Sequence, residues 1–397
     1  MTQEPNIFPY IARLLQGAEV VWTTLGDEKK IEIANANRRP VKASERISGN
    51  IPYYGANNIQ DYVEGYTHEG IYILIAEDGT KSIENYSVQW ATGKFWANNH
   101  VHVLRGKNNV NSRFIYYYLQ TVNFVPFLTG GDRAKLTKAK LLEIPIPLPP
   151  LSVQQEIVRI LDKFTQLEAE LEAELDCRLQ QYEYYRNKLL AFNEIRQGTK
   201  VEWKTLGEVA TFRRGSFPQP YTKSEWYGGD NSMPFVQVAD MKDNRFNLVS
   251  ITKQRISQLA MPKSIFVPKG TILVSLQGTI GRVAITQYDS YVDRTIAIFT
   301  HIDNEIDIRY FAYQLQLIFG IKKENARGST IKTITKEEFS AFLIPLPPLE
   351  EQQRIVAILD KFDTLVNSIS EGLPKEIALR RKQYEYYREK LLSFPKE

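Results

Sequence analysis

The sequence contains one cysteine, Cys177, and only four histidines and four methionines in 397 residues. A lone cysteine cannot close an internal disulfide, so the fold must rest on buried apolar surface, and 43% apolar residues are enough to supply it. Also missing is any apolar run near the roughly 20 residues that a membrane-spanning helix needs. The opening residues, MTQEPNIF, have neither the basic stretch nor the apolar core of a secretory signal. These absences lead us to expect a cytoplasmic protein with no membrane role. There is no G-x-x-x-x-G-K-[ST] phosphate loop and no Asn-Pro-Pro-aromatic tetrapeptide of the kind that holds a flipped base. Catalysis is therefore not expected of this chain.

What the sequence does have is an internal repeat. Ile146 to Phe164 matches Ile344 to Phe362 at 15 of 19 positions, both copies reading IPLPP–x–QQ–IV–ILDKF in outline. The match resumes at QYEYYRNKLLAF (181–192) and QYEYYREKLLSF (383–394). Upstream, VVWTTLGD (20–27) faces VEWKTLGE (201–208), and GGDRAKLTK (130–138) faces GSTIKTITK (328–336). Each copy thus runs from a Trp-x-Thr-Leu-Gly opening, through a divergent body, to a Pro-rich exit and a helix. Even YIARLL (10–15) echoes the YYREKLL near the end of the chain, as a circular arrangement with adjacent termini would leave it.

The helical parts are marked by apolar residues at steps of three and four, from Ile157 and Leu161 through Leu171 and Leu175 to Tyr182. Prolines 145, 147, 149 and 150 forbid helix before this stripe, and Ser152 with Gln155 has the spacing of a capping box. The second copy repeats the stripe from Ile355 to Ile377, with Gly372 and Pro374 expected to kink it. Within the first helix, LEAELEAEL (167–175) can lengthen by four residues and return leucine to nearly the same face. The bodies alternate β-branched and aromatic runs such as GIYILIAEDGT and GTILVSLQGTIGRVAIT with glycine-marked turns, which reads as mixed α/β. Residues 20–150 hold 15 basic and 12 acidic side chains and residues 201–348 hold 18 and 14, so the positive excess lies on the globules. That balance suits an anionic partner.

A divergent globule followed by this Pro-rich helix start and a QYEYYR-x-KLL end, the whole occurring twice, resembles the specificity subunits of type I restriction-modification enzymes. The phrases IAEDGT, NNHVHVLRGK and GTIGRVAI add to the resemblance. It implies an α/β protein with two mixed α/β target recognition domains separated by two long helices, which pair as an antiparallel coiled coil in a pseudo-twofold circular arrangement. The division would be an N-terminal helical segment (1–19), a first recognition domain (20–150), a central spacer helix (151–200), a second recognition domain (201–348) and a C-terminal spacer helix (349–397). It further implies that each globule reads one half of an asymmetric, bipartite site in double-stranded DNA. Two modification subunits, N6-adenine methyltransferases, would dock on the chain, joined by restriction subunits that translocate and cleave. S-adenosylmethionine, ATP and Mg would then sit on those partners and no cofactor on this chain. Two other classes stand against this one: a self-sufficient methyltransferase or nuclease, and a coiled-coil scaffold that does not bind DNA.

Bases are read by Arg, Lys, Asn and Gln, and phosphates are held by Lys, Arg and backbone amides, so the candidates are such residues in loops near glycines. In the first globule they are Tyr54, Asn57 and Asn58, then Asp78, Thr80 and Lys81, then Asn98 and Asn99, and finally Arg133 and Lys135. In the second they are Arg213, Arg214 and Ser216, then Gln277 and Thr279, Arg294, and the set Arg327, Ser329, Thr330 and Lys332. Other motifs favour bland readings. His100 and His102 could begin a metal site but lack a completing cluster, the carboxylates of AEDGTK fit an ordinary turn, and GTIG (278–281) fits a tight turn between strands.

Overall fold

The computed structural model describes residues 8–130, 134–192, 201–242, 246–325, 335–368 and 370–395. The chain divides into two compact units: residues 1–172 with 377–397, and residues 173–376. Each unit takes one globule and a stretch of both helical regions, so both long helical regions are shared between units.

In the first unit α1 (Pro9–Leu15) leads to β1 (Val21–Thr24) and β2 (Ile31–Ile33), and then to β3 (Ser48–Gly55) and β4 (Asn58–Val63). After these come β5 (His68–Ala76), β6 (Val88–Ala97) and β7 (Val101–Gly106), followed by α2 (Ser112–Leu119), α3 (Lys138–Leu142) and β8 (Pro145–Leu148). Six strands form one sheet in the order β2-β7-β5-β6-β3-β4, with only β3 and β6 parallel. Strand β5 is almost continuously apolar because both of its faces are covered. Ile73 and Ile75 face the core shared with α2, while Tyr72 and Leu74 pack against Phe95, Val101 and Val103 on the other side.

Strand β1 pairs antiparallel with β8, setting Trp22 opposite Pro147 and Thr24 opposite Pro145. The Pro-rich phrase is thus an edge strand, where a missing N–H costs nothing. In this way the opening and exit of the globule are clasped together. Helix α4 (Leu151–Leu190) follows directly. It starts two residues earlier than the capping-box reading placed it: the Pro150 carbonyl accepts from the Val153 and Gln154 amides, and Ser152 lies inside the helix. The LEAELEAEL tract lies inside this uninterrupted helix.

The second unit repeats the plan with altered sheets. β9 (Glu202–Thr205), α5 (Leu206–Val209) and β10 (Ala210–Arg214) are followed by β11 (Met233–Val236), β12 (Gln254–Ile256) and β13 (Ile265–Val267). Next are β14 (Ile272–Ser275), β15 (Val283–Ile285), β16 (Ser290–Val292) and β17 (Ile296–Ile302), before α6 (Ile308–Asn325), α7 (Lys336–Ser340) and β18 (Leu343–Leu346). Two four-stranded sheets result, ordered β10-β17-β14-β15 and β12-β11-β16-β13. Strands β9 and β18 form the same clasp, with Trp203 opposite Pro345.

The second long helix is two helices, α8 (Leu349–Asn367) and α9 (Gly372–Leu391). The expected kink is a full break: the chain turns extended at Ser368, and Gly372 takes φ +77°, where an added Cβ would sit 2.5 Å from the Leu365 carbonyl oxygen. Expected stripe residue Ile369 lies outside the described residues. The helices run antiparallel within each unit. In the first, Phe164 stacks on Tyr387, and Arg381 reaches back to Glu168 and Glu172. In the second, Tyr182 and Tyr185 both stack on Phe362. The apolar stripe is buried where it meets the globules, at Ile157, Leu161, Ile355 and Leu359, and only half-buried at Leu167, Leu171 and Leu175. Helix α1, the end of α9 and the residues just beyond it complete the first unit's core through Ile11, Leu391 and Phe394, as the echo between the two termini suggested.

Candidate nucleic-acid interface

Each globule is fixed to its helix by the same joint. Buried Gln154 accepts from the Asn111 amide at 2.9 Å and donates to the Pro149 carbonyl at 2.8 Å. Its repeat counterpart, Gln352, accepts from the Asp307 amide at 2.9 Å and donates to the Pro347 carbonyl at 2.9 Å. About two turns further along, Asp162 accepts from Arg113 (2.8 Å) and the Tyr117 hydroxyl (2.5 Å). Asp360 accepts from Arg309 (3.0 and 2.6 Å) and the Tyr313 hydroxyl (2.8 Å). Burial opposes the charge on Arg113 and Arg309, yet the aspartate beside each outweighs it and holds the guanidinium pKa above its ordinary value. None of these joint residues was among the sequence candidates. The signal was present, since NSRFIYYYL (111–119) and DIRYFAYQL (307–315) share Arg, Tyr and Leu in register.

The joint sets which end of each sheet is free. In the first unit the candidates converge on the ends of β3, β5 and β6 and the start of β7. The Asn98 amide donates to the Tyr54 carbonyl, and the Glu77 amide donates to the His100 carbonyl. Asn57 bridges to the 78–81 turn, donating to the Gly79 carbonyl (2.7 Å) and accepting from the Lys81 amide (2.8 Å). Lys135 joins the cluster by an ion pair with Glu77 at 3.0 Å, and Asp78 pairs with His100. Glu77 also holds Arg38 at 2.7 Å. Burial would raise the Glu77 pKa, but hydrogen bonds from Arg38 and Lys135 prevail and hold it below the usual carboxylate range.

Not every candidate there presents a side chain. Tyr54 is 8% exposed and packs edge-on against Phe95; Asn98 is 3% exposed and spends its side-chain oxygen on the His100 amide. Both are framework residues. Asn58 (φ +92°), Lys81 and Asn99 are exposed, and Thr80 is half-buried, with its hydroxyl on the Ser82 carbonyl. His102 is fully buried, with Nε2 on the Leu136 carbonyl and Nδ1 on Asn35, so both ring nitrogens are occupied. Among the described residues no three His, Cys, Asp or Glu side chains gather as a metal-ligand set.

In the second unit the candidates converge on the equivalent strand ends. The Gly215 amide donates to the Ile296 carbonyl, the Ser216 amide to the Val292 carbonyl and the Leu276 amide to the Thr295 carbonyl. These bonds bring Arg213, Arg214, Ser216, Gln277, Thr279 and Arg294 around the turn between β16 and β17. Gly79 (φ +71°) and Gly278 (φ +72°) occupy matching turns after β5 and β14, each followed by threonine, so AEDGT and SLQGT are the same device in the two units. The turn reading of GTIG holds: Gly281 also has positive φ, and an added Cβ there would strike the Phe319 side chain at 2.6 Å. Arg294 lies over the Tyr221 ring, and the Tyr221 hydroxyl donates to buried Asp293 at 2.5 Å. Burial, reinforced by that bond, pushes the Tyr221 pKa up. Candidates Arg133, Arg327, Ser329, Thr330 and Lys332 lie outside the described residues.

The sequence matches the family described as "Type I restriction modification DNA specificity domain" twice, over residues 23–180 and 199–379. The chain belongs to this family. A Haemophilus influenzae protein named as a type I restriction enzyme specificity subunit is 47% identical over 97% of this chain and 98% of its own length. A type I restriction enzyme specificity subunit of Escherichia coli is 35% identical over 98% of this chain and 97% of its own. Two crystal structures share the fold. The type I restriction-modification S subunit from M. genitalium has a TM-score of 0.56 at 16% identity, covering 100% of this chain and 99% of that one. The HsdS subunit from Thermoanaerobacter tengcongensis has 0.53 at 18%, covering 99% of each. As a specificity subunit the chain is a DNA-recognition component and not itself an enzyme, and such subunits work in complexes with modification and restriction subunits. No helix among the described residues is long and apolar enough to cross a membrane.

Proposed function

We propose that the two strand-end surfaces are separate readers, each recognising one half of an asymmetric, bipartite site in duplex DNA. The observation that carries this reading is the pairing of a repeated joint with non-repeated strand ends: Gln154, Arg113 and Asp162 have counterparts making the same bonds, whereas the positions of Asp78, Asn99 and Lys81 are taken in the second copy by Gln277, Arg294 and Ile280. A scaffold that must present two different addresses needs constancy in the first place and variation in the second. Two modification subunits would dock on the chain, carrying S-adenosylmethionine and methylating adenine at N6. Restriction subunits would add ATP- and Mg-dependent translocation and cleavage, and the whole would work in the cytoplasm. Strand-resolved adenine-methylation mapping of a genome with and without the gene tests the reading. Loss of one split motif, methylated on both strands, is expected; an unchanged methylome, or loss of a single unsplit motif, would overturn it.

A further inference from the structure

The second unit holds a charge arrangement that the strand-end candidates did not include. The ammonium groups of Lys223 and Lys263 lie 4.7 and 4.8 Å from the centroid of one ring, that of Trp226. Trp226 is only 6% exposed and sits in an aromatic cluster with Phe217, Tyr221 and Phe235. Both lysines are exposed, so one buried indole holds two cations at the surface. Their distances to the shared centroid cap the ammonium separation at about 9.5 Å. That is within or close to the roughly 8–10 Å screening length of physiological salt, so the two charges repel in the free protein. Anionic groups bound at the two ammonium groups relieve that repulsion.

The surroundings decide which anion. The Ser216 hydroxyl donates to the Lys263 carbonyl at 3.0 Å, which ties the pair to the strand-end surface. Arg294 adds a third exposed cation over Tyr221, 5.4 Å from its centroid. Two carboxylates stand nearby. Asp293 is buried and taken up by Tyr221 and Thr295, and Glu225 makes an exposed ion pair with Lys223 at 2.5 Å, a type of pair that stabilises little. Lys263 has no acidic partner among the described residues. In the first unit, by contrast, Arg38 and Lys135 at the corresponding strand ends are spent on Glu77.

We propose that Lys223 and Lys263, held on Trp226, form a backbone clamp that grips phosphodiester groups of duplex DNA beside the bases read by the second unit. The proposal rests on the reading of that unit as a DNA reader and assigns its sequence-independent contact. It is tested with the full chain in complex with its modification subunit, on one duplex carrying the mapped methylation site and one 40-base-pair duplex lacking it. Each neutralised phosphate contact steepens the slope of log affinity against log salt by about 0.9. The double variant Lys223→Gln/Lys263→Gln should therefore flatten the slope by about two on both duplexes. Its loss of affinity between 50 and 200 mM salt should be about tenfold smaller than that of the parent. The methylated sequence should stay the same. Glu225→Gln, which frees Lys223, should move affinity on both duplexes the other way, a gain that misfolding cannot mimic. An unchanged slope in both variants would overturn the clamp, as would an altered methylated sequence, which would make the lysines base readers. Failure of the parent complex to bind either duplex would instead overturn the reading of the unit as a DNA reader.

Discussion

The joints and the strand ends of the two units differ in a way that separates framework from address. At the joints, a buried glutamine, an arginine, a tyrosine and an aspartate make the same bonds in both units. At the strand ends, the first unit presents carboxylates already paired with Arg38, Lys135 and His100, while the second presents Arg294 and two lysines on an indole. A buried polar joint has few solutions, because each unmatched donor or acceptor costs about 1–3 kcal/mol. Surface loops carry no such penalty and are free to vary.

The largest effect that could break this comparison is loss of a joint. Asp162→Ala and Asp360→Ala each strand a buried tyrosine hydroxyl and a partly exposed arginine, and each should destabilise its own unit by about 2 kcal/mol. Hydrogen exchange should speed up in β5–β7 for the first variant and in β14 and β17 for the second. Equal loosening across the whole chain from either one would mean that the joints do not act unit by unit.

A smaller effect sharpens the contrast at the strand ends. Arg294→Ala should weaken DNA binding by about 1–3 kcal/mol, relaxing the site at one position if the side chain reads a base or flattening the salt slope by about one if it holds a phosphate. Lys81→Ala, in the turn matching that of Gln277 and Thr279, should do the same at the other half-site. Unchanged affinity for both would remove the strand ends as the interface.

Acid should separate the units further. Burial holds the His68 and His102 imidazoles below their ordinary value of 6.5, partly offset by hydrogen bonds to the Ala34 and Leu136 carbonyls. Their folded pKa values are depressed, so the stability they contribute is complete above 6.5 and is lost as pH falls through the folded values. Glu77, also depressed, adds a further loss at lower pH. The second unit's one histidine, His301, is exposed. Between pH 7 and 5, exchange corrected for intrinsic rate should therefore rise in β5–β7 more than in β14 and β17. The opposite order would contradict the account.

The repeat, the long helix and the α/β bodies were legible because they rest on periodicity and on near-identical phrases. Finer features were not. The Pro-rich phrase reads as a helix stop, and only its pairing with the Trp22 strand makes it a strand itself. Gly372 reads as a kink, whereas the extended backbone at Ser368 and the left-handed φ of Gly372 make it a break. Among the site candidates, Tyr54 and Asn98 are of the right residue types but are turned inward, where Asn98 closes a turn with its own side chain. Lys223 and Lys263 are forty residues apart and meet only over Trp226, a proximity that no local pattern encodes.

The central claim is that each unit reads its own half-site, and exchange of one globule tests it most directly. Residues 20–144 carry the first globule with its own half of the joint, Asn111, Arg113 and Tyr117, so their replacement by the corresponding segment of a relative that keeps those three leaves Gln154, Asp162 and the second unit unchanged. Adenine-methylation mapping of the exchanged protein should show a motif with one half changed and the other half kept. A motif altered in both halves would show that the two surfaces do not read independently.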